Sequence, residues 1–141
     1  YCLHIMVRYE LEKALMSEDI NVSDLPAAWK EKYKFYLGVE PKNDLEGCLQ
    51  DIHWSMGAIG YFPTYTLGNL AAAQIFNKAK IDCPEIESCS TDECYKILLD
   101  WLRKNIHTKG SLLLPKDLIK EVTGEDLSAK YHLDHLRQRY S

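Results

Sequence analysis

Apolar residues recur at three- and four-residue steps almost from end to end of this chain, and that spacing limits what it can fold into more than any other feature. Leu3, Met6, Val7, Leu11, Ala14 and Leu15 form the first stripe, closed by Ser17-Glu18-Asp19. Ser23 or Asp24 can cap a second helix, with Pro26 in its first turn and Gly38 just past its end. That helix carries Trp29, Tyr33, Tyr36 and Leu37 along one side, and Asn43-Asp44 opens a third with Leu45, Cys48, Leu49 and Ile52. Gly57, Gly60 and Pro63 break the pattern, which resumes from Thr64 to Lys80. Cys83 to Ser90 reads as a loop. Ser90-Thr91-Asp92-Glu93 reads as a capping box opening a helix through Tyr95, Leu98, Leu99, Leu102 and Ile106 to a stop at Gly110. Pro115 starts a short helix ended by Gly124, and Ser128 caps a last one with Tyr131, Leu133 and Leu136. No run alternates with the period of a strand. The expected fold is all-α, about seven helices forming a single helical region over residues 1–141.

Charge and composition narrow the function. With 17 Lys+Arg against 21 Asp+Glu among 141 residues, the net charge is −4, which argues against a nucleic-acid partner. Hydrophobic content of 46% excludes a wholly disordered chain. Charges interrupt every apolar stretch well before the ~20 residues that a bilayer span needs. Five cysteines, an odd number, without a cleavable leader pattern point to free thiols in a reducing compartment, the cytoplasm. The chain opens on Tyr1 with a helical pattern already under way and no cap, and is expected to be part of something longer, cut at the front.

The chemistry concentrates in Gly47-Cys48-Leu49-Gln50-Asp51-Ile52-His53-Trp54-Ser55-Met56-Gly57, followed by Gly60-Tyr61-Phe62-Pro63-Thr64-Tyr65. On a helix, Gln50 and Trp54 lie one turn apart, as do Gly47 and Asp51. Asp51 and His53 point in different directions, so they are not expected to pair. The bent stretch that follows presents Tyr61 and Tyr65 toward a cleft. By spacing alone, a satisfied core histidine beside packed aromatics is the favoured reading.

Residues 47–54 match the Gly-x-x-Gln-Asp-x-His-Trp signature of the M32 metallocarboxypeptidases, the carboxypeptidase Taq group, and the chain resembles that family along nearly its whole length. Leu3-His4-Ile5-Met6-Val7-Arg8-Tyr9-Glu10-Leu11-Glu12 looks like the family helix ahead of the signature. Asp24-Leu25-Pro26-Ala27-Ala28-Trp29, residues 60–69 and Asp100-Trp101-Leu102-Arg103-Lys104-Asn105-Ile106-His107 are similar to its other segments. The resemblance implies the C-terminal portion of a larger helical metallopeptidase. It also implies a divalent metal, usually zinc, held by His-Glu-x-x-His and a further glutamate, with the first glutamate activating the metal-bound water.

No His-Glu-x-x-His occurs here, and His132-x-x-His135 has the wrong spacing and no adjacent glutamate. No metal ligand is therefore assigned within this chain. The family's Ile-Arg-x-x-Ala-Asp segment lies ahead of it, and Arg8 is not that segment's arginine. By the resemblance, Tyr65 matches an active-site tyrosine that donates to the substrate's carbonyl oxygen or carboxylate. His53 matches the signature histidine, which could orient substrate, donate a proton or support a metal ligand. Gln50, Asp51 and Trp54 are expected to bind substrate or orient neighbours, and Tyr61 to line the cleft or pack in the core. Peptides are the implied substrates, the missing N-terminal portion the implied partner, and a homodimer the implied assembly.

Other features have plainer explanations. Cys83, Cys89 and Cys94 lack the two-residue knuckle of a structural zinc site. His4, inside an apolar stripe, is expected to pack, and His107 to sit favourably at a helix C-terminus. Two further readings stay open: a non-catalytic helical interaction or dimerisation module, and one half of a split enzyme.

Overall fold

Helices form where the apolar spacing predicts them along most of the chain. The computed structural model describes residues 1–88 and 92–141, and every regular element among them is helical. In chain order these are α1 (Cys2–Met16), α2 (Leu25–Leu37), α3 (Phe62–Asp82), α4 (Glu85–Ser88), α5 (Asp92–Asn105), α6 (Pro115–Thr123) and α7 (Lys130–Tyr140). Short 3-10 turns lie at Val22–Asp24 and His107–Lys109. Among the described residues no helix is long and apolar enough to cross a membrane. The chain divides into two compact units, residues 1–67 and 68–141.

In the first unit α1 packs on α2 around buried Val7, Leu11, Trp29, Tyr33 and Cys48, with Ile20, Leu25 and Trp54 against them. Fully burying side chains such as Leu11 and Trp29 is worth about 2–3 kcal/mol each in transfer terms. Gly38, at φ +70°, stops α2 where expected and donates its N–H to the Lys34 carbonyl at 3.0 Å. Asp24 takes the cap position of α2, but its carboxylate reaches back to the Asn21 backbone N–H at 3.1 Å instead of forward into the helix.

Two expectations about this unit need correction. The buried face of α1 is Ile5, Val7, Arg8, Leu11 and Glu12, whereas Leu3 and Met6 are each 41% exposed. The helix is rotated from its apolar stripe because Arg8 and Glu12 find polar partners inside. The third helix, from Asn43-Asp44 through Ile52, does not form, and residues 41–60 run as successive turns. The Gln50 side chain takes up carbonyls that a helix would need, whereas the Asn43 contact is one that a helix start would also make. Asn43 Oδ1 accepts from Glu46 N at 3.0 Å, and Gln50 Nε2 donates to the carbonyls of Glu46 and Gly47 at 3.0 and 3.1 Å. Gly47 suits a close approach, since a Cβ there would lie 3.3 Å from the Asn43 carbonyl, a tight contact, and 3.5 Å from the Trp29 ring.

In the second unit Ala79, Trp101 and Val122 form the core, with Ile75, Leu98, Leu102, Ile106 and Leu118 packed on it. Tyr95, expected on the apolar face of α5, is 76% exposed. The Trp101 indole donates to Asp82 Oδ2 at 3.1 Å, and Lys78 pairs with the other oxygen at 2.6 Å. The stretch from Cys83 contains one helical turn, α4, where a loop was expected, with Pro84 just ahead of it and Glu85 and Glu87 in its first turn. The capping box at Ser90 and Thr91 lies outside the described residues, as does Cys89. Ser128 Oγ accepts from Lys130 N at 3.3 Å at the start of α7, and Gly124 ends α6 at φ +87°.

Gln74, only 1% exposed, ties α3 to the connection between α6 and α7. Its amide donates to Thr123 Oγ1 at 3.0 Å and to the Asp126 carbonyl at 3.2 Å, while its oxygen accepts from Ser128 N at 2.9 Å. Gln74→Leu strands these buried groups and is expected to cost about 2–4 kcal/mol, read by urea denaturation.

Candidate active site

The signature residues split into one that faces an aromatic corner and three that anchor a loop. His53 Nε2 lies 3.1 Å from the Tyr65 hydroxyl, bringing together the two residues expected to be catalytic. Tyr65 sits in the first turn of α3, whose start at Phe62–Pro63 places a proline at a position without need of its N–H. Tyr61 completes the corner, its ring centroid 5.7 Å from His53 and 5.4 Å from Tyr65. Phe62 packs beneath His53 at 4.6 Å and is buried. His53 and Tyr65 are half-buried, and Tyr61 is exposed, so the corner opens to solvent. His53 Nδ1 is buried and meets no partner among the described residues. Burial pushes the Tyr65 phenol above its ordinary range, and the nearby Tyr61 and Tyr1 add to the shift. At neutral pH Tyr65 is an O–H donor.

Asp51, Trp54 and Gln50 turn the other way, toward α1 and α2. Asp51 Oδ2 accepts from Arg8 Nε at 2.5 Å, and the Arg8 guanidinium also donates to the His4 carbonyl at 2.7 Å. Arg8 is 6% exposed and lies 5.0 Å over the Trp29 ring. The Trp54 indole donates to Glu12 Oε2 at 2.7 Å, and Gly60 N donates to Glu12 Oε1 at 2.7 Å. Gln50 Nε2 reaches the Tyr33 hydroxyl at 3.3 Å, which in turn contacts His4 Nδ1 at 2.9 Å. Asp51 and His53 thus engage different partners, as expected, although a chain of turns separates them and not a helix.

The reading of single residues missed Arg8, Glu12 and Tyr33. The legible signal was a pair of opposite charges four residues apart, at Arg8 and Glu12, within a stripe otherwise bounded by Ile5, Val7 and Leu11. His4 packs against Tyr33 with an interplanar angle of 78°. Burial, with the adjacent Arg8 charge, holds its imidazole below the ordinary histidine range.

These residues do not fit a metal ion. Among those described, no group of three or more His, Cys, Asp or Glu side chains converges to hold one. His53 Nε2 faces a phenol and Asp51 faces a guanidinium, so the signature's own imidazole and carboxylate are not arranged as a ligand pair.

Every regular element among the described residues is helical, and the family that this chain matches is one of metallopeptidases. Residues 1–140 match the carboxypeptidase Taq (M32) metallopeptidase family, and the chain belongs to that family. It is 44% identical to Carboxypeptidase 1 of Bacillus subtilis and 48% identical to Thermostable carboxypeptidase 1 of Thermus thermophilus, in each case over 100% of this chain and 28% of the relative. The crystal structure of an M32 carboxypeptidase from Deinococcus radiodurans superposes with a TM-score of 0.93 at 37% identity, covering 99% of this chain and 28% of that one. The chain therefore spans little more than a quarter of its relatives, and it aligns with their C-terminal part.

Two measurements test the anchoring. Asp51→Ala leaves the Arg8 charge buried without its counter-charge and is expected to cost about 3 kcal/mol, whereas the pair Arg8→Met with Asp51→Leu restores much of that loss in urea denaturation. Because the His4 imidazole is depressed in the folded state, its contribution is present above the unfolded histidine pKa and is lost as pH falls through that range. Stability is therefore expected to drop from pH 7 to 5, with a shallower slope in His4→Phe.

Proposed function

We propose that residues 1–141 are the C-terminal part of the catalytic domain of a metal-dependent carboxypeptidase that removes C-terminal residues from peptides. The 3.1 Å pairing of His53 with Tyr65, beside exposed Tyr61 and inside the family signature, carries this reading. The metal, proposed to be zinc, and the groups that bind it belong to polypeptide outside these residues. The full-length enzyme is proposed to act as a homodimer in the cytoplasm.

The work assigned to this chain is to hold donors where charge develops. A bare lone pair in a buried site costs less than an N–H without an acceptor. The unpartnered Nδ1 of His53 thus favours the tautomer with its proton on Nε2. Nε2–H then donates to the phenol oxygen, and the Tyr65 O–H, which bonds with the Tyr61 side chain in the absence of substrate, turns to a substrate oxygen when one is present. A phenol held in this way strengthens its bond as the scissile carbonyl gains charge, which lowers the barrier and not merely the binding energy. Tyr61 forms a wall beside the substrate. Asp51, Trp54 and Gln50, expected at first to meet substrate or orient neighbours, serve in this reading to hold the loop.

Tyr65→Phe in the full-length enzyme is expected to lower kcat by about 10²–10³ with KM nearly unchanged, in steady-state assays of amino-acid release. Residues 1–141 alone, supplied with zinc and a peptide, are expected to release no free amino acid. Turnover by the isolated chain would show that the reactive groups lie within it.

A further inference from the structure

One side chain on α1 touches both ends of the loop between His53 and Tyr61. Glu12 Oε2 accepts from the indole of Trp54, the residue directly after His53, and Oε1 accepts from the amide of Gly60, the residue directly before Tyr61, both at 2.7 Å. Glu12 is itself 5% exposed, so this contact is buried. Between its two ends the strap is held by short turns. Ala58 N donates to the His53 carbonyl at 2.8 Å and Gly57 N to the Trp54 carbonyl at 3.0 Å, while Ser55, Met56 and Ile59 stand exposed. Gly60, at φ +76° with open space where a Cβ would sit, supplies the backbone turn that aims its amide at the carboxylate.

We propose that Glu12 is a positioning residue. By tying Trp54 to Gly60 it sets the separation of His53 from the Tyr61–Tyr65 side of the corner, and with it the 3.1 Å bond between imidazole and phenol. The two oxygens act together, since a group with one acceptor can hold only one end of the strap. Trp54 locks the first end through packing as well, its ring 6.2 Å from Trp29 and 5.9 Å from Phe62. At the second end the amide bond supplements the packing of Phe62, which lies two residues further on, so loss of Glu12 loosens the Gly60 side first and lets Tyr61 and Tyr65 drift from His53. Displacements of about 1 Å at a reacting group cost up to ~100-fold in rate. This inference rests on the proposed carboxypeptidase activity for its kinetic readout, and has a spectroscopic readout that does not.

The test uses the full-length enzyme and three variants. Glu12→Gln keeps one acceptor but turns an NH₂ toward a donor, Glu12→Ala removes both acceptors, and Trp54→Phe keeps the carboxylate and an aromatic ring while deleting the indole N–H. The expected result is a fall in kcat of roughly tenfold for Glu12→Gln and Trp54→Phe, and about 100-fold for Glu12→Ala, with KM within about twofold of wild type. In spectra of ¹⁵N-histidine-labelled protein, the His53 imidazole signal is expected to shift in each variant while those of His107 and His135 stay in place. Faster exchange of the Gly60 amide in Glu12→Ala supports the clamp directly. Unchanged kcat and an unchanged His53 signal in Glu12→Gln overturn the proposal, as does a rise in KM at constant kcat. A wild-type enzyme without peptidase activity, but with a His53 signal that responds to Glu12, contradicts the proposed function and leaves the positioning role standing.

Discussion

Two buried charges on α1 carry the arrangement of the first unit. Arg8 and Glu12 lie one helical turn apart and face inward, and each holds a residue of the Gly-x-x-Gln-Asp-x-His-Trp segment, Asp51 and Trp54 respectively. A buried charge without a partner is costly enough to unfold a marginal domain, so these two contacts act as constraints. They force residues 47–60 against α1 as a loop, and they leave His53, which lies between the two anchored residues, to face the other way. The geometry of the corner is thus a consequence of charge satisfaction on a neighbouring helix.

The same segment departs from its local pattern. Leu45, Cys48, Leu49 and Ile52 favour a helix over residues 43–52, but residues 41–60 run as turns, with Gln50 Nε2 occupying the Glu46 and Gly47 carbonyls and Asp51 and Trp54 held by Arg8 and Glu12. Leu45, Leu49 and Ile52 are instead exposed, while Cys48 alone of the four is buried in the core, where burial raises its thiol above the ordinary range. Tertiary polar contacts outweighed propensity here, and the exposed apolar residues are the visible cost.

Much of the fold was legible because it rests on local rules. The stop of α2 at Gly38, the span of α6 from Pro115 to Gly124 and the helix through Thr64 follow from caps and periodicity, which need only neighbouring residues. His53 and Tyr65 were each singled out by the family resemblance, and their 3.1 Å contact is a finding of the structure, since residues twelve apart across Gly57, Gly60 and Pro63 have no fixed relation in a pattern argument. The roles of Asp51 and Trp54 could not be read, because their partners lie 43 and 42 residues away, and a charge pair within an apolar stripe does not say which distant residue it meets. The rotation of α1, with Leu3 and Met6 outward, was hidden for the same reason.

The central claim is that the phenol at position 65, held by the imidazole at position 53, meets the bond being cut. A crystal structure of the full-length enzyme with a non-hydrolysable peptide mimic tests it most directly. The account predicts a ligand carbonyl or carboxylate oxygen about 3 Å from the Tyr65 oxygen, with His53 Nε2 bonded to the opposite side of that phenol. A ligand bound at the catalytic centre with both side chains beyond reach of it, or with Tyr65 turned away from His53, would contradict the account.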